Sequence, residues 1–185
     1  MKTPKPDVAA VREQIEQDFV GLWRRMSSLW GISPTMAEIH GLLYITGAAL
    51  SMDDIMARLG ISRGNVSMNL TRLVEWGLLH RVHRRGDRRD RYASVSDVWE
   101  LFTRVATQRK RREIDPVLST LRRCRDELSA AAGKPAGGPA NKVAKDRYRR
   151  VDELLAFLQL MDHLATEFLA SHKSLKAAVE RLAGK

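Results

Sequence analysis

Residues 51–93, SMDDIMARLGISRGNVSMNLTRLVEWGLLHRVHRRGDRRDRYA, constrain the fold more than any other stretch. Ser51 and Asp54 stand at capping-box spacing, which opens a helix with Ile55 and Leu59 on its inner face. Gly60 tolerates the left-handed conformation that ends such a helix. Ser62 then caps a second helix running to about Trp76, where Gly77 stops it. Leu78–Val82 reads as a strand, Arg84–Arg89 as a polar turn around Gly86, and Arg91–Ala93 as a return strand. Helix, tight turn, helix and two-stranded hairpin together predict a winged helix-turn-helix, whose second helix enters a DNA major groove.

A helical wheel of that second helix separates two faces. Val66, Leu70, Leu73 and Val74 cluster on the side that anchors it. Roughly opposite lie Gly64, Asn65, Met68 and Arg72, flanked by Arg63, Ser67 and Thr71. The outer face is slim near its N-terminus and carries one acid, Glu75, at its far end, whereas a solvated face usually mixes Glu and Lys. Such a face suits close approach to base edges. Asn65 can pair with adenine, Arg63 or Arg72 with guanine or phosphate, and Met68 can touch a thymine methyl. Ser62, at the helix N-terminus, can receive a phosphate.

The hairpin supplies charge. Between Arg58 and Arg91 nine arginines face only Glu75, Asp87 and Asp90, and no lysine is present. Guanidinium forks suit phosphate and narrow grooves, and the whole chain is basic as well, at net +10. A polyanionic partner follows from this charge, though charge alone does not separate DNA from RNA or an acidic membrane. The candidate DNA contacts are therefore Ser62, Arg63, Gly64, Asn65, Ser67, Met68, Thr71 and Arg72 on the helix, with Arg84, Arg85, Arg88, Arg89 and Arg91 on the hairpin. The competing reading is a solvated hairpin with scattered charge.

The flanks read as helices. From about Asp7 to Trp30, Val8, Val11, Ile15, Phe19, Leu22, Met26 and Leu29 form one stripe. It covers the hairpin domain or meets a second subunit. Trp23 and Trp30 widen the apolar face, and core packing is favoured there over an aromatic cage. Ser33-Pro34 opens a supporting helix with Met36, Ile39 and Leu43 inward, where His40 reads as a packed or half-exposed side chain. After the hairpin, Ser96-Asp97 opens a connecting helix with Val98, Leu101, Phe102 and Val105 inward. Its basic run, Gln108–Arg112, is evenly balanced between phosphate contact and solvation. Asp115-Pro116 either kinks that helix or ends it. Val117, Leu118, Leu121, Cys124 and Leu128 continue an apolar stripe, with Cys124 most simply a small buried residue.

Two prolines and three glycines in AAGKPAGGPAN, residues 131–141, predict a flexible linker. Beyond it, Val151, Leu158 and Ala165 repeat by sevens, as do Leu154, Met161, Phe168 and Leu175. This is a heptad seam, and these seven residues are the candidate dimer contacts. Ser174 is placed to cap a short final helix, and His172 falls at a seam position. The chain thus divides into an N-terminal helix (1–30), a winged helix-turn-helix (31–95), a connecting helix (96–130), a linker (131–141) and a C-terminal dimerisation region (142–185). The fold class is mainly α, with a small two-stranded hairpin.

Several classes are disfavoured. No apolar run approaches the roughly 18 residues of a membrane span, and the N-terminus lacks signal-peptide order. One cysteine excludes an intrachain disulfide framework, which points to the cytosol. The five histidines lack companion cysteines or ligand spacing, so neither metal nor cofactor is expected. No phosphate loop, nucleophile elbow or spaced carboxylate pair suggests catalysis.

The run ISRGNVSMNLTRLVEWGLLHRVHRRGDRRDRY, preceded by MDDIMARL, resembles the winged helix of the GbsR branch of MarR-like bacterial regulators. Ser62–Leu70 and Trp76–Leu78 are the closest parts, and the likeness spans roughly residues 39–116. The resemblance implies a homodimeric transcription factor, often a repressor, with a small-molecule effector in some members. Choline is the effector of the name-giving type, but no residue here transfers a choline site. Two functions therefore compete. One is a sequence-specific regulator reading a pseudo-palindromic operator in double-stranded DNA. The other is an architectural or protein-interaction module built on the same fold.

Overall fold

The computed structural model describes residues 7–83, 85–86, 88–132, 139–171 and 181–182. It divides into two compact units, Met1–Val105 and Ala106–Lys185. The architecture is a mostly helical winged helix-turn-helix with a small antiparallel sheet.

In the first unit, α1 (Val8–Trp30) begins at Asp7, whose carboxylate accepts from the Ala9 amide, and ends at left-handed Gly31. Ser33 caps α2 (Pro34–Thr46), with proline in the first turn where no amide is required. α3 (Met52–Leu59) carries the complete Ser51/Asp54 capping box and stops at Gly60, φ 64°. α4 (Arg63–Glu75) starts on the Ser62 hydroxyl. The chain then turns at Gly77, φ 71°, with the Arg104 side chain lying against it. A Cβ there would meet both a strained backbone and that guanidinium.

The sheet has three strands rather than the two of a simple hairpin. β2 (Leu79–Val82) and β3 (Arg91–Ser94) pair as the wing, and β1 (Leu50–Ser51) adds to the other edge of β3. Leu50 lies opposite Tyr92 and Ser51 opposite Arg91. Two residues are too few to show alternation, so this strand has no signature of its own. It matters because it ties the entry of α3 to the wing.

α2 runs through the middle of the unit. Its Met36, Ile39, Leu42 and Leu43 pack with Ile55 of α3, Val66, Leu70 and Leu73 of α4, Leu78, Leu79 and Tyr92 of the sheet region, and Leu101. α1 lies on the other side of α2, where Phe19, Trp23, Tyr44 and His40 stack. Gly41 makes this approach possible, since a Cβ there would stand 3.0 Å from the Trp23 Cβ and Cγ. His40 is buried, which resolves its position, and Trp23 and Trp30 meet edge to face within this packing. Val8, Val11, Ile15, Leu22 and Leu29 of the α1 stripe remain exposed.

α5 (Val98–Arg109) leads into a π-helical turn, Lys110–Ile114, and then α6 (Asp115–Ala132). Pro116 therefore does not end the helix but is the second residue of α6, directly after the π-turn. Its ring would clash with the Arg112 carbonyl in a regular helix, and the wider π-turn before it relieves that conflict. In the second unit α6 packs against α7 (Pro139–Ala170), with Leu118 and Leu155 buried.

The ends of the stretch expected as a linker, 131–141, are helical. Residues 131–132 belong to α6 and 139–141 to α7, with Pro139 in the first turn where proline is tolerated. Residues 133–138 lie outside the described residues, as do Arg84, His172, Ser174 and Leu175. Among the described residues no helix is long and apolar enough to cross a membrane.

Candidate nucleic-acid interface

The outward face of α4 is built by the packing of its inner face. Val66, Leu70 and Leu73 are buried, so helical geometry turns Gly64, Ser67, Met68, Thr71 and Arg72 to solvent. Met68 is 52% exposed, a large apolar side chain standing in water. Among the described residues, and leaving aside its chain neighbours and the adjoining backbone of its own helix, no atom lies within 4 Å of where a Gly64 Cβ would stand, so that end of the face is open. Thr71 is turned back, its hydroxyl donating to the Ser67 carbonyl at 3.0 Å. Arg72 has no partner among the described residues.

Asn65 is only half exposed and already employed. Its Oδ1 accepts from Asn69 Nδ2 at 2.7 Å, and the same amide donates to the Asn65 carbonyl at 2.8 Å. Asn69 Oδ1 in turn accepts from the Ser33 hydroxyl at 3.2 Å. Bidentate pairing with adenine needs both the oxygen and the nitrogen of an amide; Asn69 takes one of the two lone pairs of Asn65 Oδ1, which leaves the other lone pair and the NH2 for a base edge. Asn69, 1% exposed, belongs to this network although the helical wheel does not single it out. Its position four residues after Asn65, on the side of Val66 and Leu73, is the available signal.

Arg63 is exposed but paired with Asp53 at 2.6 Å, which joins the start of α4 to α3. Such an exposed pair contributes little stability and leaves the guanidinium within exchange of a phosphate. Ser62 caps α4 through the Asn65 amide at 3.4 Å.

On the wing, Arg85, Arg88 and Arg89 are exposed. Arg85 and Arg88 have no partner among the described residues. Arg91 differs. Its side chain is 18% exposed, donates to the Ala49 carbonyl at 3.2 Å and meets Asp54 Oδ2 at 3.4 Å. It holds β3 to the start of α3 and is a structural tie rather than an outward contact. The Asp54 carboxyl is held below its ordinary range by the Ser51 backbone amide and hydroxyl, with Arg91 and Arg89 adding to the effect.

The basic run at the end of α5 and in the π-turn is partly consumed within the second unit. Arg109 pairs with Glu113 at 3.1 Å, and Lys110 lies 2.8 Å from Asp115 and 3.1 Å from Asp162. Those carboxylates, Asp115 first, raise the Lys110 ammonium above its usual range. Arg111 is exposed. Among the described residues, no group of three or more His, Cys, Asp or Glu side chains could hold a metal ion.

A slim, open helix face lies in the same unit as Arg85 and Arg88, which have no partner among the described residues, and such a combination suits the approach of a nucleic acid. Residues 30–90 match the MarR family. The matched stretch runs from the last residue of α1 to the residue before β3 and takes in the helix-turn-helix. A crystal structure of a transcriptional regulator matches with a TM-score of 0.53 at 18% identity, covering 86% of this chain and 98% of that one. At that identity the likeness is one of fold, and it extends over both units of the chain. No curated protein matches. The MarR match supports a DNA-binding transcription regulator.

The seam on α7 is two-sided. Val151 and Leu158 are half-buried, and Leu155, outside the expected heptad set, is fully buried. Leu154, Met161 and Phe168 are about half exposed, together with Phe157 and Leu164. Ala165 is also exposed. The heptad thus divides between residues turned inward in the second unit and a row left outside it.

Proposed function

We propose that this protein is a homodimeric, sequence-specific DNA-binding regulator of the GbsR branch, acting as a repressor that a small molecule releases. The observation that carries the DNA assignment is the open α4 face, Gly64–Met68–Arg72, in the same unit as the exposed arginines of the wing. Paired α4 helices would enter successive major grooves about 34 Å apart, and the wings would grip the flanking backbone.

Residues with different tasks should fail differently. Arg72→Ala or Asn65→Ala is expected to reduce discrimination between the selected operator and random DNA by about 1–3 kcal/mol. Arg88→Ala with Arg89→Ala should weaken both DNAs alike and lower the salt slope by about one for each phosphate no longer neutralised. Titrations across salt concentrations with both DNAs separate the two classes, and equal effects from all four changes would sink the base-reading assignment.

The dimer reading is supported by the row Leu154, Phe157, Met161, Leu164 and Phe168, which steps by three and four residues along α7 and is about half exposed at every position. Large apolar side chains in such a row mark an interaction surface. Phe168→Asp is expected to convert a dimer to a monomer in light scattering. A variant that keeps the dimer mass would shift the interface to the exposed Val11 and Ile15 of α1.

For the effector, the first unit offers a cleft of about 730 Å³, floored by Val20, Leu42 and Leu59 and rimmed by Arg12, Glu16 and Arg58. That volume suits a small molecule. The Glu16–Arg58 pair at 3.2 Å joins α1 to α3 across it, so an occupant would act directly on the helix that precedes the reading helix.

A further inference from the structure

We propose that His40 is a positioning residue that ties the base of the wing to α1, so that the placement of α1 sets the placement of the wing. The Trp23 indole N–H donates to His40 Nδ1 at 3.0 Å. An indole nitrogen is only a donor, so Nδ1 must be the acceptor and the proton must sit on Nε2. His40 Nε2 lies 3.3 Å from the Ser94 hydroxyl, which itself donates to the Val95 carbonyl at 3.0 Å. The donors and acceptors then run in one direction only: Trp23 to His40, His40 to Ser94, Ser94 to Val95. Three elements are joined, α1 through Trp23, α2 through His40 and β3 through Ser94.

The seat is constructed for this contact. Gly41 lets the indole lie against α2, and Phe19 and Tyr44 stack on the same indole. Among the described residues the groups hydrogen-bonded or stacked with His40 are Trp23 from α1, Tyr44 from α2 and Ser94 from β3, and none of them is charged at neutral pH. Burial alone therefore governs its titration, lowering it to about 4 and keeping the ring neutral at ordinary pH. A second proton would place two donors face to face between Trp23 and Nδ1. The relay matters for the wing because β3 is fastened at both ends. Arg91 holds the outer end to Ala49 and Asp54, and Ser94 holds the inner end to His40.

Only the DNA arm of the test rests on the regulator reading. In the full-length protein, nitrogen-15 NMR of His40 should show the Nε2-protonated tautomer. Trp23→Phe keeps the ring in its stack and removes the donor, and Ser94→Ala removes the other end of the relay. Each is expected to speed amide exchange at Val95 and across β3 at least tenfold while Ile55 and Leu70 exchange as before. An Nδ1-protonated His40, unchanged exchange in β3, or an equal rise everywhere would overturn the proposal. With DNA, Trp23→Phe should weaken binding in the natural background and have no further effect once Arg88 and Arg89 are alanine. Equal loss in both backgrounds would also overturn it. A natural protein that binds no DNA would overturn the regulator reading instead, and the exchange result would still decide the relay.

Discussion

Leu70→Ala should lower the stability of the first unit by about 2–5 kcal/mol, the range for emptying a well-packed leucine site. Leu70 is 1% exposed and belongs to the cluster of Ile39, Leu43, Ile55, Val66 and Leu73, which joins α2, α3 and α4. Those helices hold one another at fixed angles, and the neighbours can close only part of the space left behind. The loss is large against a typical domain stability of about 5–15 kcal/mol. All four tryptophans, Trp23, Trp30, Trp76 and Trp99, lie in the first unit. Urea denaturation of the full chain followed by tryptophan fluorescence therefore reports this unit. A loss below about 1 kcal/mol would mean that α4 is anchored elsewhere.

The second large effect is acid sensitivity. Burial lowers His40 from its ordinary value of 6.5 to about 4. Between those values the unfolded chain takes up a proton that the folded chain refuses. Stability is therefore undiminished above pH 6.5 and falls as the pH drops towards 4, by about 3 kcal/mol in all. Asp54 acts in a different window. Its folded value is depressed, so its contribution is present above its ordinary 3.8 and is lost only as the pH falls below that. Urea midpoints of the same tryptophan signal between pH 7 and pH 4 test this directly. His40→Gln, which cannot titrate, should flatten the slope. An equally steep slope in that variant would assign the acid loss to another group.

Much of the first unit was legible because its signals are local. Ser33, Ser51 and Ser62 announce helix starts through bonds made within three residues, and Gly31, Gly47 and Gly60 announce ends through one dihedral. The outer face of α4 followed from helical period alone. What escaped depends on partners distant in sequence. Arg91 looks like its neighbours until β3 is placed in register with Ser51, which sets it beside Asp54. Asn69 looks like a surface amide until Ser33 is brought to it from another helix. The α7 heptads predicted an apolar seam but not that α6 would take one side of it. The π-turn before Pro116 is a compromise between a helix that continues and a ring that resists it, and sequence rules state the conflict without its resolution.

The central claim is that α4 and the wing read a specific duplex as two symmetric copies. Selection of bound duplexes from a random library by the purified full-length protein at moderate salt tests it most directly. The account predicts enrichment of one sequence in two inverted halves whose centres lie one helical turn apart, about 10 base pairs, with enrichment blurred by Arg72→Ala. Binding without an enriched sequence, or with a steep salt dependence and no preference among duplexes, would contradict it.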